Sequence, residues 1–272
     1  MALDTRDKLI AACAGATMVP IYKSSLSTLA AGYIVALWRA TGNYLWGQGA
    51  IPGAAAVCDD NLLGGIILPA AGGSKFYVVQ FVPVGAQSST WLLYDRLAHM
   101  GGLSGVTTGD QTVNISLATP SGNGRCAVDG SDVVWFAEMY TAIGATAQTC
   151  TVTYTDQNDT SRTTTFSLGG ASPLNQPSRC IQIIPNAGQS IKSVTKVNFG
   201  TTTGTAGSWG ITARRRLATV GQMIANVCPT GTDAISICAP EIKETACIEL
   251  LAIPTAATTG LLLGEIEIAT VA

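Results

Sequence analysis

The segments CTVTYT (Cys150–Thr155) and RTTTFSL (Arg162–Leu168), separated by Asp156-Gln157-Asn158-Asp159, decide the fold. Val152 and Tyr154 face one way and the intervening threonines the other, a period of two that suits a strand with one wet face. The polar, turn-forming tetrad between the segments makes them a β-hairpin. The same texture recurs outward in both directions. Strand-like runs are read at 75–82, 89–94, 106–117, 132–140, 180–184, 191–199, 208–217, 234–237, 246–253 and 261–269, most of them ended by Gly, Pro or Asn. Long helices do not alternate with them, which excludes a parallel α/β sheet. The expected class is all-β, an antiparallel β-sandwich or jelly roll occupying residues 75–272.

Residues 1–74 read differently. Asp4 or Thr5 can cap a short helix reaching to about residue 15, with Leu9, Ile10, Ala12 and Cys13 as its modest apolar side. Beyond it Gly, Ala and Pro punctuate the chain, as in Gly47-Gln48-Gly49 and Pro52-Gly53. This stretch is expected to be an extended arm or loose β-layer that depends on neighbours.

Composition argues against most chemistry. The chain has one histidine (His99) and 12% charged residues, so the usual general base and commonest metal ligand is nearly absent. A formal net charge of −2 gives no general pull toward nucleic acid or anionic membrane. No run reaches the roughly 18 apolar residues of a spanning helix, yet mean hydropathy is +0.33; so apolar a chain is expected to bury surface against partners or copies of itself. The mixed charges at Asp4, Arg6, Asp7 and Lys8 do not form a signal-peptide n-region and point to folding in a cytoplasm.

No motif builds a catalytic, cofactor or metal site. Asp95, His99 and Ser104 crowd into ten residues without a G-x-S-x-G elbow, and read as a strand end entering a tight turn. Asp156, Asn158 and Asp159 lack the glycine and distal glutamate of a calcium loop. Glu265 and Glu267 alternate with Ile266 and Ile268, as on a half-wet strand. In Arg214-Arg215-Arg216, the first and third share a face of a strand. They read as edge-strand charges, or, as candidate partner contacts, Arg214 and Arg216 meet an acidic patch on a neighbouring subunit. The eight cysteines lack zinc spacing. They are either buried free thiols or interchain disulfides, with Cys13 and Cys58 on the arm as the candidate interchain thiols.

A resemblance adds to this reading. Leu92–Thr108, together with Leu37–Gly42, Val152–Gln157 with Ser161–Thr163, and Gly207–Thr212, is similar to segments of structural proteins of tailed-bacteriophage particles, with a looser likeness at 257–264. The resemblance implies a virion protein that decorates or cements the capsid exterior. Its implied partners are the major capsid protein and copies of itself, a trimer suiting the local threefold positions of a capsid lattice. A collar, tail or fibre-associated station is the alternative. From other classes, a glycan-binding jelly roll would expose Trp38, Tyr44 and Trp46, and an enzyme would depend on His99.

Overall fold

The computed structural model describes residues 4–42, 47–66, 68 and 75–271. One helix, α1 (Arg6–Ala14), is capped by Thr5, whose hydroxyl accepts from the Lys8 amide. The strands follow in chain order: β1 (Thr17–Lys23), β2 (Val35–Ala36), β3 (Ala56–Val57), β4 (Lys75–Gly85), β5 (Ser89–Leu103), β6 (Gly109–Ser116), β7 (Val133–Thr141) and β8 (Gln148–Asp156). The rest are β9 (Ser161–Leu168), β10 (Cys180–Ile183), β11 (Ile191–Phe199), β12 (Ser208–Gln222), β13 (Glu241–Ile242), β14 (Ile248–Pro254) and β15 (Leu262–Val271). A five-residue helical turn, α2 (Ala118–Gly122), interrupts them. The protein is an antiparallel all-β sandwich with a short N-terminal helix.

Three sheets build it. The first runs β1-β15-β4-β13, the middle one β10-β7-β12-β5-β14-β2 with β3 attached to β5, and the third β6-β11-β8-β9. Strands β5 and β12, each 15 residues long, cross two cores. Trp91, Leu93 and Val220 meet Phe76, Val78, Phe81 and Ile266 of the first sheet. Farther along the same strands, Leu97, Trp209, Ile211 and Ala213 meet Val113, Val152, Tyr154 and Val197 of the third. The alternation read in the sequence is the physical cause of that third layer. In β6, Gln111, Val113 and Ile115 point inward while Asp110, Thr112, Asn114 and Ser116 face out. The hairpin pairs β8 with β9 from Gln148↔Leu168 to Thr155↔Ser161.

The described part of residues 1–74 is stitched into these sheets. β1 pairs β15 from Thr17↔Ile268 to Lys23↔Leu262, β2 pairs β14, and β3 pairs β5. The middle sheet curls until its ends meet: the Ala36 amide donates to the Ser178 carbonyl and the Cys180 amide to the Ile34 carbonyl, both at 2.8 Å. Ile34, Ala36, Trp38, Cys58 and Leu62 pack with Leu92, Tyr94, Phe136 and Leu251 of that sheet.

Three expectations need correction. Asp95–Leu103 continues β5 rather than entering a turn, because its charged side chains find buried partners, described below. Residues 234–237 form turns, not a strand, with Asp233 accepting from the Ile235 and Ser236 amides. β12 is an interior strand, hydrogen-bonded to β5 and β7 over Arg214 and Arg215, so this is no sheet edge.

Candidate functional site

The concave face of the middle sheet gathers the chemistry. Arg96 (β5), Arg214 (β12), Glu138 (β7) and Glu249 (β14) all lie within 1% of complete burial. Each strand delivers one of them because the curled sheet turns these alternate positions inward. Arg96 Nη1 donates to Glu138 Oε2 and Glu249 Oε2, both at 2.9 Å. Arg214 Nη2 donates to Glu138 Oε2 at 2.6 Å, and its Nε to Glu249 Oε1. Thr212 Oγ1 donates to Glu138 Oε2, and Arg96 Nη2 to Tyr140 Oη at 3.1 Å. Two cations and two carboxylates thus neutralise each other away from water, which is the condition for tolerating buried charge. Burial alone would raise the Glu138 carboxyl, but the guanidiniums of Arg96 and Arg214 overcome it and hold its pKa down at about 2.

Aromatic rings close the cluster from both sides. The Arg96 guanidinium lies 4.3 Å from the Trp38 ring centroid and that of Arg214 lies 5.2 Å from Phe136. Trp38 sits on a single 3₁₀ turn (Leu37–Arg39) after β2, and its indole N–H donates to the Ala50 carbonyl at 2.9 Å. Gly49 and Gly64 allow this: a Cβ at either would come within 2.2 Å and 2.7 Å of the indole. A second buried pair lies next door. Arg125 forks onto Asp95 and also donates to the carbonyls of Cys58 and Arg96. It ties the residue 58 segment to β5.

His99 joins the first cluster at its edge. Arg96 Nε donates to His99 Nδ1 at 3.0 Å. Burial, reinforced by the adjacent Arg96 charge, pushes the His99 pKa down to about 3, so the ring is neutral. A base that accepts from a permanent cation is a poor proton acceptor. Ser104, by contrast, engages Gln111 and its own loop. Asp95 is committed to Arg125, so the three residues do not form a relay.

The remaining sequence candidates separate. Arg214 is fully buried and cannot be a surface contact; Arg216, on the same side of the sheet, is exposed. Cys58 is completely buried, its thiol pushed up to about 12 by burial, so as folded it cannot reach a second chain. Cys13 is partly exposed, and burial followed by the nearby Glu267 and Asp233 raises its pKa. The well-exposed thiols are Cys228 and Cys238, which spacing did not distinguish. In the native state a maleimide reagent should therefore label Cys228 and Cys238 within minutes and Cys13 slowly. Cys58, Cys126, Cys150, Cys180 and Cys247 should react only after denaturation; mass mapping of the adducts checks this, and early labelling of Cys58 would contradict the packing.

Asp156 accepts from the Asn158 and Thr160 amides and pairs with Arg162, so the acidic turn is closed on itself. Among the described residues no group of three or more His, Cys, Asp or Glu is placed to hold a metal ion. Trp38 is 1% exposed and offers no open platform to a sugar, while Tyr44 and Trp46 lie outside the described residues. One signal in the sequence did mark the cluster: Glu138 and Glu249 are lone charges inside apolar runs. Comparison with protein-family models, with curated proteins and with solved structures found no match.

Proposed function

We propose that this chain is a structural protein of a tailed-phage particle, adhering to the capsid exterior as a decoration or cement subunit, in a symmetric oligomer such as a trimer. The observation that carries this reading is how the chain distributes charge and apolar surface. Three arginines and three carboxylates are spent inside the fold as ion pairs. Large apolar side chains meanwhile stand at the surface: Met223, Ile224 and Val227 in one short stretch after β12, with Ile235, Ile184 and Leu263 elsewhere. Exposed apolar area of this kind favours protein contact over solvent.

The mechanism is mechanical. A packaged genome presses outward, and a stiff subunit that bridges several shell proteins raises the free energy of separating them. A standard interface buries about 1,600 Å², a little over half of it apolar. At about 25 cal/mol per Å² of apolar area, the gross gain is on the order of 20 kcal/mol before association costs. Arg216 is retained as a candidate partner contact.

Gradient-purified particles that carry this chain provide the test, with quantitative mass spectrometry against the major shell protein. Hundreds of copies per particle are expected. Six or twelve copies would move the station to collar or tail, and absence from particles would overturn the reading.

A further inference from the structure

We propose that a groove between α1 and the outer side of the first sheet binds an organic ammonium, an apolar body carrying one positive charge. The site lies away from the buried ion pairs of the middle sheet. Helix α1 packs on that outer side through Leu9 and Ala12, against Tyr77, Val79, Ala269 and, from the turn after Asp233, Ala234. The groove left between the helix and residues 233–235 has a volume of about 440 Å³. Leu9 and Val79 belong to its lining, and Ile10 and Ile235, 54% and 79% exposed, form its open part. That volume, apolar with a few polar groups, suits a small organic molecule.

Strand register supplies the charge. Glu267 of β15 lies opposite Met18 of β1 on one side and Gln80 of β4 on the other, and Gln80 bridges to Asp233. Glu267, Gln80 and Asp233 therefore form one row across the sheet, and all three line the groove. Asp233 accepts from the Ile235 and Ser236 amides. Gln80, with its amide nitrogen turned to the carboxylate, donates to both oxygens of Glu267 at 3.1 Å. These donors are all neutral. The lining contains no Lys, Arg or His, and among the described residues neither carboxylate forms an ion pair, Arg6 one turn before Ile10 included. After burial, the same two carboxylates raise the Cys13 thiol, so their field reaches across the groove.

An apolar cation answers both features. Its hydrocarbon leaves water against Leu9 and Val79, and its charge sits where two negative charges lack a counter-ion. A carboxylate guest is repelled, and a neutral guest gains the apolar contact alone. Ion pairs at partly exposed sites are weak, so the charge is expected to add about fivefold in affinity.

Cys13 lines the groove and is partly exposed, so its alkylation by iodoacetamide, an uncharged reagent, reports occupancy. Cys228 and Cys238, exposed and outside the lining, serve as references. Benzylamine, benzyl alcohol and benzoate share one ring and differ in charge. Benzylamine should slow Cys13 alkylation saturably, at a concentration about fivefold below that needed by benzyl alcohol. Benzoate should leave the rate unchanged, and Cys228 and Cys238 should register only reagent lost to the amine. Added sodium chloride should weaken the protection by benzylamine and spare that by benzyl alcohol. Glu267→Gln removes no ion pair, so it should keep the melting temperature while bringing benzylamine down toward benzyl alcohol. Equal protection by these two probes, no saturable protection of Cys13, salt-independent protection by benzylamine, or protection undiminished in Glu267→Gln would each overturn the inference. Copy number in particles is unaffected by any of these outcomes, so the two readings fail separately.

Discussion

Glu249→Gln should destabilise the fold by about 3–5 kcal/mol, the range expected when one partner of a buried ion pair is removed. Glu249 is fully buried and accepts from both Arg96 and Arg214. The amide keeps the shape but removes the charge, leaving two guanidiniums to share Glu138. One face of the new side chain also presents N–H groups toward N–H groups, so the loss exceeds that of a single neutral hydrogen bond. Urea unfolding followed by tryptophan fluorescence measures it, and a fall in melting temperature of roughly 5–9 °C should accompany it. The exposed pair between Lys196 and Asp110 supplies the control. Asp110→Asn should leave the midpoint unchanged, because solvent and side-chain entropy cancel most of a surface pair. If both substitutions had the same small effect, the buried cluster would not be what pins the middle sheet.

Acid should weaken the protein well before its carboxylates titrate. His99 has a native pKa of about 3 against 6.5 for the free side chain. Between these values the unfolded chain takes up a proton that the native chain refuses. The His99 contribution is therefore fully present above pH 6.5 and declines as pH falls, the loss ending near pH 3. At about 1.4 kcal/mol per unit, the fall from pH 6.5 to 5 is about 2 kcal/mol, and the whole window is worth about 4–5 kcal/mol. Glu138 adds to the loss at lower pH. Its native pKa of about 2 lies below the ordinary 4.5, so its contribution is present above 4.5 and disappears toward 2. Urea midpoints at pH 7, 6 and 5 isolate the histidine. A flat profile there would mean that His99 protonates in place, and His99→Gln should flatten the slope.

The sheets were legible where their cause is local. Alternation in Val113, Ile115 and Leu117, and in Cys150–Thr155 against Arg162–Leu168, needs only neighbours two residues apart. The site was not legible for the opposite reason. Arg96 meets Glu138 at 42 positions and Glu249 at 153 positions along the chain, and Arg125 reaches Asp95 across 30. No window of sequence contains both partners, so Asp95, Arg96 and His99 read as the end of a strand entering a tight turn. The arginine triplet misled for the same reason. Its alternation was correct, but which face is wet depends on Glu138 and Glu249 lying across the curl. Cys58 belongs to this group as well, since the Arg125 contact that seals it joins distant segments.

The pairing of β1 with β15 has a consequence for how the fold bears a pull. In this antiparallel ladder Thr17 lies opposite Ile268, so residues preceding β1 and residues following β15 depart from the same end. Tension applied through both would peel the two strands apart like a zipper, one rung at a time, instead of sharing the strain across all rungs at once. A pull through both ends at once is therefore borne poorly by this pair of strands, whereas a load applied along the ladder would meet all its rungs together.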